Sequence, residues 1–151
     1  MTRTFKKQLH RVGRTEHQKG SANTQTAVNA MIRDHDFGQA CISCGKPRKL
    51  EAGHFRNSNQ GTTRFHPWNL NGQCATCNRY SGGVTYENGV ALDRKFGRGT
   101  AAFLERLSRK TELWDTRELD QLKMAARMGW RVYAQVYFEL GPLHLSARKS
   151  A

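Results

Sequence analysis

The chain has 151 residues and carries 25 lysines and arginines against 12 aspartates and glutamates, a formal net charge of +13. That length suits one domain with a modest core. The charge indicates a polyanionic partner, with nucleic acid as the leading candidate, although a ribosome-associated protein would also fit it. No run reaches the roughly 18 apolar residues of a membrane span, and no secretory signal opens the sequence. We therefore expect a cytoplasmic protein without membrane contact.

The first segment, residues 1–23, is polar and basic, with Glu16 as its only acid. We predict a flexible arm that follows phosphates and becomes ordered on binding, joined to the rest by a linker at Gly20–Asn23. A helix is then expected, capped by Thr24 or Thr26 and ending near Asp36. Its apolar face consists of Ala27, Val28, Met31 and Ile32.

The strongest signal is a pair of CxxC motifs, Cys41/Cys44 and Cys74/Cys77. Cytoplasmic thiols are reduced, so two such pairs favour a metal over disulfides. Four thiolates at this spacing predict one tetrahedral structural zinc ion. A noncatalytic zinc ribbon that only binds nucleic acid would carry the same four cysteines.

Two strands are predicted between the cysteine pairs. Residues 50–56 form the first, with His54 near its middle, and residues 64–70 form the second, bent at Pro67. Asn71 and Gly72 would then turn the chain into the second cysteine pair. This order predicts a mostly helical α+β fold with a zinc-stapled ββα core and flanking helices.

Three helices are predicted after the second cysteine pair, over residues 85–96, over 100–110 and from Asp115 or Thr116 to about 140. Glu118 completes a capping box for the last and longest. Its aromatic residues indicate either core packing or a dimer interface: Trp130, Tyr133, Tyr137 and Phe138. The predicted organisation is an arm (1–23), a zinc-bound core (24–98), a C-terminal helical region (99–142) and a tail (143–151).

Phosphodiester cleavage needs a base for water and a cation for the charge on phosphorus. His54 suits the first task near pH 7, and Asn78 and Glu51 offer the oxygen ligands that magnesium prefers. Asn69 is expected to orient the imidazole, with His66 and Asp93 as weaker candidates for the site. Six cations are expected to contact DNA phosphates: Lys46, Arg48, Lys49, Arg56, Arg64 and Arg79.

Several segments resemble the phage lambda NinG (Rap) recombination protein family: Thr26–Arg33, Cys41–Gly45, Glu51–Phe55, Arg64-Phe65, Asn69, Gln73–Asn78 and Ser81-Gly82. The resemblance implies an endonuclease that cuts Holliday junctions and D-loops with Mg²⁺ or Mn²⁺. The site layout is also similar to the wider HNH (His-Me finger) superfamily and to phage endonuclease VII. By that likeness His54 matches the general base, Asn69 the middle asparagine and Asn78 the metal-binding asparagine.

One position departs from the HNH pattern, because the residue before the base is Gly53 where most members have a metal-binding acid. Glu51 is the nearest acid and shares a strand face with Gly53, roughly 6.6 Å away along the strand. We expect Glu51 to reach the metal only through a bulge or a bridging water.

Three functions remain open from the sequence. The first is a branch-selective endonuclease, for which two symmetric cuts favour a homodimer, with the long aromatic helix as the interface. The second is an HNH nicking or homing enzyme that acts on linear duplex. The third is a noncatalytic zinc protein that binds DNA and assists recombination. Branched DNA and phage or host recombination proteins are the expected partners, in a bacterial host cell.

Overall fold

A computed structural model describes residues 14–57, 59, 61–80, 85–110 and 114–141. The elements run in the order α1 (Glu16–His35), β1 (Leu50–His54), α2 (Gly61–Arg64), β2 (Leu70–Cys74), a π-helical turn (Thr76–Tyr80), α3 (Thr85–Phe96), α4 (Thr100–Ser108), α5 (Thr116–Met128) and α6 (Trp130–Leu140). The mostly helical α+β class is thus confirmed. None of the helices in these ranges combines the length and hydropathy that a membrane crossing requires.

Helix α1 begins eight residues earlier than predicted. Thr15 caps it through a capping box with Gln18, and the segment Gly20–Asn23 lies inside it, so the predicted linker is wrong. Thr24 is no cap: its hydroxyl is buried and donates to the carbonyl oxygens of Gly20 and Leu119, both at 2.9 Å. Tertiary contact with α5 therefore outweighs the weak helix propensity of this stretch. Residues 1–13 of the predicted arm lie outside the described residues.

The sheet consists of β1 and β2, which pair antiparallel in unbroken register from Leu50↔Cys74 to His54↔Leu70. The first strand was predicted correctly, although His54 is its last residue. The second strand was placed too early, because residues 64–70 contain the end of α2 and a turn that leads into β2. Asn71 and Gly72 lie inside β2, where the Gly72 amide donates to the buried Asp36 carboxylate at 2.6 Å.

The predicted long C-terminal helix is two helices, α5 and α6, which meet at Gly129. Gly129 has φ 107°, a conformation that only glycine adopts without strain, and it ends one helix and begins the next. The predicted start is confirmed: Asp115 caps α5, and Glu118 returns the bond to the backbone of Asp115. Helices α3 and α4 also occur where the apolar spacing predicted them.

A single apolar core joins α1, α5 and α6, which we call the helical layer. It contains Val28, Met31, Ile32, Phe65, Leu70, Trp114, Leu119, Leu122, Ala125, Ala126, Tyr133 and Tyr137. Tyr133 and Tyr137 are therefore core residues, which agrees with the first of the two predictions for this helix, core packing. Trp130 is half-buried and stacks on His35 at 4.9 Å, and Phe138 stays 42 % exposed.

Candidate metal centre

The first cysteine pair lies on a tight loop closed by the backbone. The Gly45 amide donates to the Cys41 carbonyl at 2.8 Å, and the Cys41 amide donates to the Lys46 carbonyl at 3.0 Å. Gly45 has φ 67°, which lets the loop turn immediately after Cys44. Both thiols of the pair are thereby presented on one side of the loop.

The second pair spans the end of β2 and the π-helical turn, where Cys74 and Cys77 are both buried. The four Sγ atoms all lie within 4.8 Å of one another, and those of Cys44 and Cys74 are 3.9 Å apart. Thiolates at about 2.3 Å from a tetrahedral zinc are separated by roughly 3.8 Å. The predicted four-cysteine cluster is confirmed, and it can hold a zinc ion.

The chemistry of the cluster also fits a cation. Burial, together with hydrogen bonds between the Cys77 thiol and Cys74, Cys44 and Cys41, raises the pKa of Cys77 to about 12. Four sulfurs this close together, three of them on buried cysteines, cannot share negative charge unless a cation compensates it. The Cys74 amide already donates to the Cys41 sulfur at 3.3 Å, a contact typical of metal-bound thiolates. We call this cluster, the Cys41–Cys44 loop, β1, β2 and the π-helical turn together the cysteine ribbon.

The cysteine cluster places the side chain of Asn78 in contact with that of Glu51. Asn78 follows Cys77 in the π-helical turn, and its Nδ2 donates to the Glu51 carboxylate at 2.9 Å. Arg79 also donates to this carboxylate, through Nε at 2.9 Å and through a second, shorter contact. The hydrogen bond from Asn78 and the contact with Arg79 lower the pKa of Glu51. The register of β1 is unbroken, so the strand has no bulge at Glu51.

His54 lies at the end of the same strand. Its Nε2 is 3.2 Å from the Arg64 carbonyl oxygen, and because a carbonyl only accepts, Nε2 carries the proton and Nδ1 keeps its lone pair. Burial lowers the pKa of His54 to about 4, so the ring is neutral at pH 7. Strand alternation places the His54 and Glu51 side chains on opposite faces of β1. Within the described ranges, no hydrogen bond joins His54 to Asn78 or Glu51.

Asn69 does not orient the imidazole, so that prediction was wrong. Its Oδ1 accepts from the Arg56 amide at 2.7 Å, and its Nδ2 donates to the carbonyls of Arg56 and Thr63 at 3.0 Å. The fully buried Asn69 amide thus links the end of β1 to α2. The group that holds His54 is the Arg64 carbonyl, and no sequence signal identifies a backbone oxygen.

Gly53 is required by its surroundings. A Cβ at this position would lie 2.0 Å from Oε1 and 2.9 Å from Cβ of Gln73, whose side chain packs over the strand. Gln73 is held there by a 2.6 Å bond from its Nε2 to the Ser43 hydroxyl. An acid before His54 would require the Gln73 side chain to move away from the strand, which gives a physical reason for the departure noted in the sequence.

The weaker candidates have structural partners. His66 is buried among the rings of Trp68, Phe103, Tyr137 and Phe138. The Asp93 carboxylate accepts from the Ala101 amide at 2.9 Å in the first turn of α4. Neither side chain is joined to the cysteine cluster by a hydrogen bond or ion pair in the part of the chain that the structure describes.

The six cations predicted to bind DNA are in different environments. Lys46, Arg48 and Lys49 are exposed on the segment that leads from the cluster to β1. Arg56 and Arg64 are half-buried, and Arg79 is exposed but engaged by Glu51. The structure thus brings one of the six, Arg79, directly to the candidate site.

The fold and the cluster define a small basic protein in which a four-cysteine cluster that can hold a metal ion is attached to a helical layer. The family model described as Bacteriophage Lambda NinG protein matches residues 2–134, and the chain belongs to this family. Protein ninG of Salmonella phage P22 is 33 % identical over 102 residues, which cover 66 % of the chain and 50 % of that protein.

Protein ninG of Escherichia phage lambda and that of Escherichia phage 933W are each 37 % identical over 76 residues, or 48 % of the chain. These segments cover 37 % and 38 % of the two relatives. The chain therefore spans half or less of the length of the curated relatives it matches. No solved structure matches it.

Proposed function

We propose that this protein is a metal-dependent endonuclease of the HNH type that cuts branched DNA such as Holliday junctions and D-loops. The observation that carries the proposal is the contact between Asn78 and Glu51. It joins two residues 27 positions apart, and it depends on the cysteine cluster that fixes the π-helical turn against β1. An amide and a carboxylate oxygen beside each other suit a hard divalent cation.

His54 is the proposed general base. The Arg64 carbonyl fixes the proton on Nε2, so the Nδ1 lone pair is free to take a proton from water. The water oxygen forms a bond to phosphorus while the bond from phosphorus to the leaving sugar oxygen breaks. A pKa of about 4 keeps the ring in its basic form at every pH at which the protein would act, although it also weakens the base.

Asn78 and Glu51 are the proposed ligands of the catalytic cation. Mg²⁺ or Mn²⁺ bound there would neutralise charge on the phosphate and on the leaving oxygen. Asn78 offers Oδ1, since its Nδ2 is used on Glu51. Arg79 holds the Glu51 carboxylate until it is exchanged for the cation, and a DNA phosphate would then accept the released guanidinium.

The proposal requires DNA to reach both faces of β1, because His54 and Glu51 alternate on the strand. Strand β1 pairs only with β2 in the described sheet, so no strand occupies its other edge. A phosphate that lies along this edge is accessible to side chains from either face. The formal charge of +13 would attract the DNA and would make its binding sensitive to salt concentration.

Cutting can be tested with a four-way junction, a matched linear duplex and Mg²⁺. We expect cuts on the junction, and we expect His54→Ala to lower the rate at least about 100-fold while junction affinity changes little. His35→Ala is the matched control, because His35 lies at the far end of α1 against Trp130. Equal cutting of the duplex would instead favour the nicking or homing activity.

The same assay tests the cation ligands. Asn78→Ala should shift the Mg²⁺ titration of cutting to higher concentration, since one oxygen ligand is lost. An unchanged titration would remove Asn78 from the metal site. Two symmetric cuts per junction would support the proposed homodimer and could be checked against the mass of the protein in solution.

A noncatalytic zinc protein that binds DNA is the second candidate. Two observations favour it: Arg79 already neutralises Glu51, and Nδ1 of His54 lies on the opposite face of β1 from the carboxylate. Tight junction binding with no cutting in either Mg²⁺ or Mn²⁺ would establish this function. Recombination proteins of the phage or the host are the partners we propose in both cases.

A further inference from the structure

A cavity of about 460 Å³ opens beside Arg64, on the side of the molecule formed by the start of α1, α2 and the start of α5. Its floor is apolar and includes the buried rings of Phe65 and Trp114. Its rim consists of polar and cationic side chains: Arg14, His17, Gln18, Ser21, Asn59 and Arg64. No acidic residue lines the cavity among the described residues.

Arg64 is a cation without an acid. Its Nε donates to Gln25 Oε1 at 2.9 Å, and its guanidinium lies 5.3 Å from the centre of the Phe65 ring. No carboxylate forms an ion pair with it in the part of the chain that the structure covers. Partial burial lowers the pKa of Arg64, so its charge is incompletely solvated. Such a guanidinium at a cavity wall is suited to a phosphate.

His17 is fixed at the same rim. Its Nε2 lies 2.7 Å from the Trp114 carbonyl oxygen. Because a carbonyl can only accept, Nε2 is the donor, and Nδ1 remains as the second polar atom of the ring. Arg14, next to the capping residue of α1, adds an exposed charge. The cavity therefore joins cationic and polar groups at its rim to two aromatic residues in its lining, the two kinds of side chain that sites for single-stranded nucleic acid combine.

We infer that this cavity binds one unpaired nucleotide of a DNA strand, with its phosphate on Arg64 and Arg14 and its sugar and base toward Phe65 and Trp114. A base inside a duplex is stacked and paired, so it cannot enter a concave site without being extruded. A D-loop contains single-stranded nucleotides, and a base beside a branch point leaves an interrupted stack at a lower cost than one inside a continuous duplex. This inference rests on the proposed function and supplies the feature that would distinguish branched from linear DNA.

The site is also connected to the candidate base. The Arg64 side chain lines the cavity while its carbonyl holds His54 Nε2. A phosphate that fixes the Arg64 side chain would also fix the residue that orients the imidazole. Arg64 is thus a positioning residue in addition to a phosphate ligand.

The inference is tested by binding in buffer to which no Mg²⁺ or Mn²⁺ is added, so that cutting plays no part, with the cysteine cluster left loaded with zinc. The probe is a six-nucleotide oligo(dT) labelled at its end, titrated against the full chain by fluorescence anisotropy, with a matched hairpin duplex for comparison. We expect Arg64→Gln to weaken oligo(dT) binding about tenfold. Arg131→Gln, the same charge change on exposed α6, should change it less than twofold.

Arg64→Lys is the second variant, because it keeps the charge and loses the planar fork. It should restore only part of the affinity, and thermal melting should show both variants folded. Equal losses for Arg64→Gln and Arg131→Gln would overturn the inference, as would equal affinity for the hairpin duplex. Tighter binding of oligo(rU) than of oligo(dT) would also overturn it, in favour of an RNA ligand. A failure of cutting with intact selective binding would count against the proposed function alone.

Discussion

The helical layer and the cysteine ribbon are stabilised in different ways. The helical layer buries twelve residues in one continuous core and caps its helices with side chains. The ribbon has a small cluster of its own, formed by Leu50 and three of the cysteines, and it adds Leu70 of β2 to the helical core. Hydrophobic burial therefore holds the helical layer, while the ribbon, apart from the contact of Leu70, depends on four thiols and the ion they can share.

The sharpest way to separate the two regions is to remove one sulfur. Cys74→Ser should unfold the ribbon, since structural zinc contributes on the order of 10 kcal/mol to the folding of small sites. The helical layer should persist, because its core contains no cysteine. Amide hydrogen exchange should show β1 and β2 unprotected and α1 and α5 still protected. A Cys74→Ser protein with normal protection in β1 would contradict a role for metal.

Acid should lower the free energy of unfolding through the buried side chain of His66. Burial lowers the pKa of His66 to about 3, against about 6.5 in the unfolded chain. Between these values the unfolded state binds a proton that the folded state does not, so the free energy of unfolding falls as pH falls. From pH 6.5 to 5 this costs about 2 kcal/mol.

His66→Phe tests this contribution. The variant should be less stable at pH 7, because the Trp68 amide loses its 3.1 Å bond to Nδ1, but its stability should depend less steeply on pH. Urea unfolding at pH 7 and pH 5 measures the difference. Zinc loss in acid affects both proteins alike, so an unchanged slope would mean that His66 does not titrate on unfolding.

Features encoded by neighbouring residues were predictable from the sequence. The cysteine cluster follows from two CxxC spacings, and the α5 start follows from the Asp115 and Glu118 pair. Strand β2 was missed because its polar residues are buried by remote partners, such as Asp36 for Gly72. The break at Gly129 was missed because apolar residues keep their spacing across it. Asn78 and Glu51 were predicted as ligands of one cation, but the hydrogen bond between them was not predicted.

The smallest expected effect concerns Gly53, the residue of β1 that precedes the proposed base His54. Gly53→Ala would place a methyl group 2.0 Å from Gln73 Oε1, so Gln73 must move and lose its bond to Ser43. We expect a loss of about 1 to 3 kcal/mol, as for other overpacked sites, measured by urea unfolding. Ala52→Gly is the control, because it removes a methyl group from the neighbouring residue instead of adding one.

The double variant Gly53→Ala/Gln73→Ala distinguishes a clash from a backbone effect. Removing the Gln73 side chain creates the space that the methyl needs, so the two changes together should cost less than the sum of their separate effects. Strict additivity would mean that Gln73 does not exclude a side chain before His54. The space there would then be open to an acid, and the absence of one would need a reason other than packing.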